Sequence, residues 1–365
     1  MRIGLRELRR KPLRFGAAGA ALVLLTVLLL LLGGFLDGLF LGSTGLLRAQ
    51  KADLVTFSSD AKKSLLRSRI DPEERAKVAG VAGVERTDGL GIVLLGATVP
   101  GRSEVASAAV VGYQGAVTGV PDPPAPGEAY ADRRLEADGV QVGQTLLLGP
   151  QRVPLKVVGW VSDTSYLLQG GLWTEPGTWR SILASARPDA NLPDGTFQAL
   201  AVTTAPGADP TQVAAAVDAA TGGSTTTVTR QDAVLSLPGI KEQQGTFTAI
   251  ISVTLVVAGL VVALFFALLT LERIGLYGVF KAIGASTGQI FSGVVAQAVV
   301  LGAVSFAIGA AAAWLLSRPI PAAVPLQLVP GRVVVTGVLL VAMAVVGSAF
   351  SLRRVVKVDP ASAIG

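Results

Sequence analysis

The sequence predicts an integral membrane protein in which four transmembrane α-helices carry an α+β extracytoplasmic domain between the first and the second. Three observations lead there. Four long runs carry no charge, one long polar segment separates the first run from the second, and bases gather at the ends of the runs. The chain of 365 residues is 51% hydrophobic and only 15% charged, with a mean hydropathy of +0.58. A soluble domain carries about 25% charged residues.

A helix needs about 20 apolar residues to cross the hydrocarbon core. The first span is placed at 15–41, opening with the uncharged stretch Phe15–Leu36. The second is 247–271, the third 290–316 and the fourth 333–352. Between and around them lie an amphipathic N-terminal segment (1–14), the extracytoplasmic domain (42–246), a short charged helix (272–289), an external loop (317–332) and a C-terminal tail (353–365).

Orientation follows from Lys and Arg near the span ends, which favour the cytoplasmic side. Arg2, Arg6, Arg9, Arg10, Lys11 and Arg14 precede span one. Arg273 and Lys281 lie between spans two and three, and Arg353, Arg354 and Lys357 follow span four. The long segment 42–246 is net −3. Both termini are therefore expected in the cytoplasm of a bacterium, with the large domain outside the plasma membrane. The first apolar run exceeds the h-region of about 7–15 residues in a secretory signal, so an uncleaved anchor is expected. Ile3, Leu5 and Leu8 among the bases suit a short helix on the anionic inner leaflet, giving membrane lipid as a partner. The flanking bases account for the whole net charge of +6, and no nucleic-acid partner is needed.

Cysteine and histidine are both absent. That removes disulfides, thiol nucleophiles, His-based triads and most zinc sites. No GxxxxGK[ST] phosphate loop, no GxGxxG and no acidic cluster of calcium-loop spacing occurs. Ser165 and Lys156 have no spacing that would make them a catalytic pair. The chain is expected to be no enzyme, with no catalytic residue, no metal site and no cofactor of its own.

The extracytoplasmic domain alternates strand-like and helical patterns. "ADLVTFSS", "GLGIVLLGATV", "ASAAVVGY", "QTLLLG", "PLKVVGWVS" and "TFQALAVTT" read as strands bounded by Gly, Pro and Asp. "DPEERAKVAGV" and "DPTQVAAAVDAAT" read as helices with a capping Asp and Pro at the first position. The Pro/Gly-rich "TGVPDPPAPGEAYADRR" is a candidate boundary between two lobes. "WVSDTSYLLQGGLWTEPGTWRS" concentrates three of the four tryptophans. Such a stretch suits a binding patch or, more commonly, a core. At the outer half of span one, Gly34, Gly38 and Gly42 recur every four residues, a spacing that lets backbones approach closely. It serves either self-association or packing within the chain. Asp37 sits among them near the outer interface, where water can solvate it.

The stretch "LERIGLYGVFKAIGAST" joins spans two and three. Leu276, Val279, Phe280 and Ile283 form one apolar stripe of a helix, while Arg273, Tyr277 and Lys281 fall on another face. Gly284 can end this helix with a positive φ. Ser286 stands three residues before Gln289, a capping-box pattern opening span three.

With its continuation "GQIFSGVVAQAVVLGAVSFAIGA", this stretch resembles the FtsX-like/MacB-like permeases of ABC transporters. The ends "LRELRRKPLRF" and "LRRVVKVDPASAIG", and the segment "AYADRRLEADGVQVGQTLLL…LKVVGWV", are similar to that family as well. The chain departs from the commoner form at Leu276, Tyr277 and Gly278. The resemblance implies the transmembrane subunit of an ABC transporter. A separate ATPase subunit would bind ATP and magnesium, and a second permease copy or a paralogue would complete the assembly. It implies a coupling segment made of Glu272, Arg273, Ile274, Leu276, Phe280, Lys281 and Gly284. ATP hydrolysis would then move the outer domain to export or extract a lipid, lipoprotein or peptide-like substrate. The alternative implied is a signal-transmitting subunit that activates an external cell-wall hydrolase without transport.

Overall fold

A computed structural model describes residues 12–188, 192–272, 279, 283, 284, 286–321 and 324–352. Helix α1 (Pro12–Arg48) opens the described chain. Strand β1 (Leu54–Ser58), helix α2 (Pro72–Ala79) and strands β2 (Val84–Thr98) and β3 (Val105–Tyr113) follow. Next come β4 (Glu128–Asp132), β5 (Thr145–Leu148), β6 (Val153–Val161), β7 (Gly170–Thr174) and α3 (Pro176–Ala186). Strand β8 (Ala199–Thr204), α4 (Pro210–Ala220), β9 (Thr225–Thr229) and α5 (Arg230–Leu235) lead to α6 (Ile240–Glu272), α7 (Thr287–Ser317) and α8 (Pro330–Leu352). The described residues fall into two compact units, one within Met1–Gly38 and Gln243–Gly365, the other Leu39–Glu242.

Among the described residues four helices, α1, α6, α7 and α8, are long and apolar enough to cross a membrane. All four outrun the spans read from hydropathy, two of them by seven residues at one end. Helix α1 continues through 42–48, and α6 begins seven residues before Phe247. At 1.5 Å per residue α1 measures about 55 Å, against a hydrocarbon core of about 30 Å. Hydropathy marks where the apolar run stops, whereas helical hydrogen bonding continues through polar residues such as Ser43 and Thr44.

The membrane unit has its own core. Ala18 and Leu22 of α1, Ala258, Val262 and Phe266 of α6, Val294, Ala298 and Leu301 of α7, and Ala344 of α8 form one buried cluster. Small residues let the backbones meet: a Cβ at Gly347 of α8 would stand 2.5 Å from the Gly259 carbonyl of α6. Val253, Leu260, Leu264 and Leu268 of α6 stay exposed, as a lipid-facing side requires.

The outer unit is built on a nine-stranded sheet that closes partly on itself. Strands β2, β3, β7, β4, β6 and β5 pair in a ring, because β2 pairs with both β3 and β5. The pairs β3–β7 and β4–β6 are parallel and the other pairs in the ring antiparallel. The first half of β2 leaves the ring to pair with β8, which continues through β1 to β9. Three apolar cores follow. One, with Val93, Val110, Leu146, Leu155 and Leu172, belongs to the ring. A second joins Leu46 and Leu47 of α1 to Val55, Ile92, Tyr113 and Trp173. The third packs α2 and α4 on β1 and β8 through Val78, Val213, Val217, Leu54 and Leu200. Burying each such side chain contributes about 1.5–3 kcal/mol. Both predicted helices form with their Asp caps, Asp71 accepting from Glu74 N and Asp209 from Thr211 N.

The Pro/Gly-rich segment 118–134 does not separate two lobes. Its second half is β4, an inner member of the ring paired to both β6 and β7. The passage from ring to open sheet is made instead by one continuous strand, β2.

Candidate functional site

The joint between α6 and α7 is partly within view. Arg273, Ile274, Leu276, Phe280 and Lys281 lie outside the described residues. Glu272 is the last residue of α6 and is exposed. Ile283 N donates to Val279 O at 3.0 Å, one helical turn. Gly284 follows with φ +93°, a conformation that costs other residues strain. Ser286 then caps α7: its side chain accepts from Gln289 N, and the Gln289 side chain accepts from Ser286 N. Val279 and Ile283, two members of the apolar stripe, are 50% and 77% exposed.

The glycines of the outer half of α1 meet chain segments other than helices. Gly34 lies against Leu328, and its carbonyl accepts from Gln327 N at 2.9 Å. A Cβ at Gly38 would overlap the Pro325 carbonyl. The segment before α8 therefore lies directly on α1. Asp37, on the same stretch, accepts from Arg332 Nε at 2.5 Å and from Nη2 at 2.6 Å. Hydropathy could not indicate this pair, since its members are 295 residues apart.

Gly42 belongs to a second contact, in the outer unit, which sequence reasoning missed. The β6–β7 turn (162–169) lies along the last turns of α1. Leu168 N donates to Gly42 O at 2.9 Å, Leu167 N to Ser43 O at 3.1 Å, and Leu46 N to Ser165 O at 3.0 Å. A Cβ at Gly45 would stand 2.7 Å from Asp163 O and 2.8 Å from Ser165 N, so only glycine fits. Arg48 donates to both oxygens of Asp163 and to Thr44 Oγ1. Tyr166 and Gln169 exchange backbone hydrogen bonds, both 2.9 Å. Leu167 and Leu168 are thus the two central residues of a tight hairpin, with φ of 49° and 66°. Positive φ at both positions defines a type I′ turn, for which Asn-Gly is the favoured pair. Each leucine in this left-handed region costs about 1–2 kcal/mol. Asp163, at φ 59°, is a third. On the sheet side the turn is held by buried Asp132, which accepts from Thr164 N at 2.8 Å and from Thr164 Oγ1.

The tryptophan-rich stretch is core. Trp173 and Trp179 are fully buried, and Tyr166 is 1% exposed. Trp179 stacks on Phe197 with ring centroids 6.2 Å apart, and Tyr113 meets Trp173 edge-on at 5.1 Å. Gly91 and Gly89 of β2 leave the room these rings occupy. Burial pushes the Tyr166 phenol well above its ordinary value. Ser165 is buried, while Lys156 pairs with Glu128 at 3.1 Å. Among the described residues no group of three acidic side chains is placed to hold a metal.

Residues 248–360 match the family model of FtsX-like permease C-terminal domains. An uncharacterized ABC transporter permease of Mycobacterium tuberculosis is 36% identical over 145 residues, 38% of this chain and 40% of that protein. A second from the same species is 34% identical over 110 residues, 30% of this chain and 31% of that protein. A protein named as the hemin transport system permease HrtB, from Staphylococcus epidermidis, is 23% identical over 139 residues, 38% of this chain and 40% of that protein. The chain spans about two fifths of the length of these first relatives. Among solved structures, the periplasmic region of MacB from Actinobacillus actinomycetemcomitans aligns with a TM-score of 0.36 at 12% identity, over 51% of this chain and 92% of that one. The extracellular domain of YknZ from Gram-positive bacteria aligns with a TM-score of 0.34 at 13% identity, over 48% and 98%.

Proposed function

From a chain that carries an FtsX-like permease C-terminal domain over residues 248–360, we propose the transmembrane subunit of an ABC transporter. A separate ATPase subunit binds ATP and magnesium and docks on the cytoplasmic side, where both termini lie. A second permease copy or a paralogue completes the assembly in the bacterial plasma membrane. ATP hydrolysis moves the outer domain for export or extraction of a lipid, lipoprotein or peptide-like substrate.

The family match carries this reading, and the joint between α6 and α7 supports it. Val279 and Ile283 offer uncovered apolar surface beside the glycine break at Gly284. An apolar stripe buries well against a partner, and flanking charges such as Glu272, Arg273 and Lys281 set orientation and association rate. Ile274, Leu276 and Phe280 complete the proposed docking stripe.

Co-purification from the native membrane tests the partner: an ATPase should accompany the chain, and its turnover should rise in the complex. Arg273→Glu with Lys281→Glu should abolish both. A complex that forms and is stimulated unchanged by this double substitution removes the docking role. ATP-dependent movement of lipid or peptide in reconstituted vesicles, against capture of a cell-wall hydrolase by the outer domain without movement, separates transport from signalling.

A further inference from the structure

We infer that the β6–β7 turn is a strained clasp on the outer end of α1, whose local opening and closing passes movement of that helix to the sheet. The inference deepens the permease reading and rests on it for the work the clasp does.

The two sides of the turn are held unequally. Toward the sheet, Asp132 is 3% exposed and takes two hydrogen bonds from Thr164. Toward the helix stand three backbone hydrogen bonds and the Arg48–Asp163 pair, whose side chains are 26% and 58% exposed. A pair so open to water holds weakly and is screened by salt. The last turn of α1 is also held by Leu46 and Leu47, which share one buried cluster with Tyr166, so what yields first is the exposed ion pair and the strained hairpin tip at Leu167 and Leu168.

The hairpin itself is biased toward release. Its geometry aims the Leu167 and Leu168 amides at the Ser43 and Gly42 carbonyls, and that geometry needs positive φ twice. Asn-Gly would supply the same backbone without strain. Leucine at both positions keeps the closed form close in energy to a relaxed one, which is what a two-state element requires. Leu168 also fits the gap over Gly42, where a Cβ would stand 2.9 Å from its Cδ2. Closing therefore seats a side chain as well as hydrogen bonds.

The test uses the full chain in lipid nanodiscs, with hydrogen exchange read at the Leu46 amide, whose acceptor is Ser165 O. The reference is the Leu172 amide in β7. Leu46 should exchange faster than Leu172 in the wild type. The variant Leu167→Asn, which relieves strain at one of the two positions and keeps the Leu168 side chain over Gly42, should slow Leu46 several-fold and leave Leu172 unchanged. Because the chain has no cysteine, Arg48→Cys/Asp163→Cys bridged by a short bis-methanethiosulfonate, each protein thiolate displacing a methanesulfinate, gives a second way to hold the clasp shut, reversed by a thiol reductant. In complex with the co-purified ATPase, both closed forms should lower stimulated turnover several-fold, and removal of the bridge should restore it. A Leu46 rate unmoved by either variant, or undiminished stimulation with the clasp bridged, overturns the clasp. Absence of any co-purifying ATPase overturns the permease reading instead, and the Leu46 comparison then decides the clasp alone.

Discussion

Asp37 and Arg332 form a two-point ion pair across 295 residues of chain, with Nε and Nη2 of the arginine 2.5 and 2.6 Å from the two carboxylate oxygens. The arginine lies beside Gly33, whose missing Cβ would stand 2.8 Å from the Arg332 Cδ. The pair thus ties the outer half of α1 to the first turn of α8. Its side chains are 14% and 36% exposed, between the surface and buried regimes. Asp37→Asn and Arg332→Gln should each cost about 1–3 kcal/mol, and the double variant no more than the worse single. Thermal unfolding of the four proteins in one lipid composition measures this. Additive losses would mean that the two groups act independently.

Gly38 predicts a steric effect. Alanine normally improves a helix by up to about 1 kcal/mol over glycine. At Gly38 the new methyl group meets the Pro325 carbonyl, a backbone atom that can move only with its segment. Gly38→Ala should therefore lower the melting temperature. Gly16→Ala, in the same helix with nothing within 4 Å of the added Cβ, should leave it unchanged or raise it.

At the start of α7, Ser286→Ala removes one half of a reciprocal cap and should cost about 1 kcal/mol locally. Faster hydrogen exchange at Gln289, whose amide donates to the Ser286 side chain, reports the loss. Gly284→Ala should act by another route, through its φ of +93°, and should hurt even though the space around it is open.

Glu175 gives a pH dependence. Burial pushes its carboxyl up, but hydrogen bonds from Thr178 and Gly177 outweigh that and hold it below its ordinary value. A lowered folded value means the carboxylate stabilises the fold above the unfolded value of about 4.3 and loses that contribution as pH falls through the folded one. Glu175→Gln should therefore melt below wild type at pH 7, with the gap closing as pH falls below the unfolded value. Asp138 has the opposite sign, because burial raises its carboxyl despite Arg134 nearby. Asp138→Asn should gain most at neutral pH.

The membrane helices and both Asp-capped helices were legible, because apolar runs and caps are local signals. Six strands were legible for the same reason. Three were not. Strand β9, "TTTVT", lacks apolar alternation and is held by β1 and by Asp218, which accepts from Thr227 N. Strand β7 opens with Gly170 and Gly171, residues that disfavour a strand until Leu135 and Trp173 fill the space above them. Strand β4 follows prolines and glycines that suggest a linker. At the candidate site, the Gly284 break and the Ser286 cap were readable from neighbouring residues. The Asp37–Arg332 pair and the clasp were not, because each joins residues brought together only by the fold.

The first and last strands of the outer unit pair with each other: Leu54, the first residue of β1, stands opposite Thr229, the last of β9. Arg230 N donates to Asp53 O at 2.9 Å, one step further along. A module whose two ends meet in this way behaves as an insert. It can be exchanged for another of different size or chemistry by recombination at one paired point, while the four long helices keep their own core. Variety in the sheet can then accumulate by grafting, with the packing of those helices left untouched.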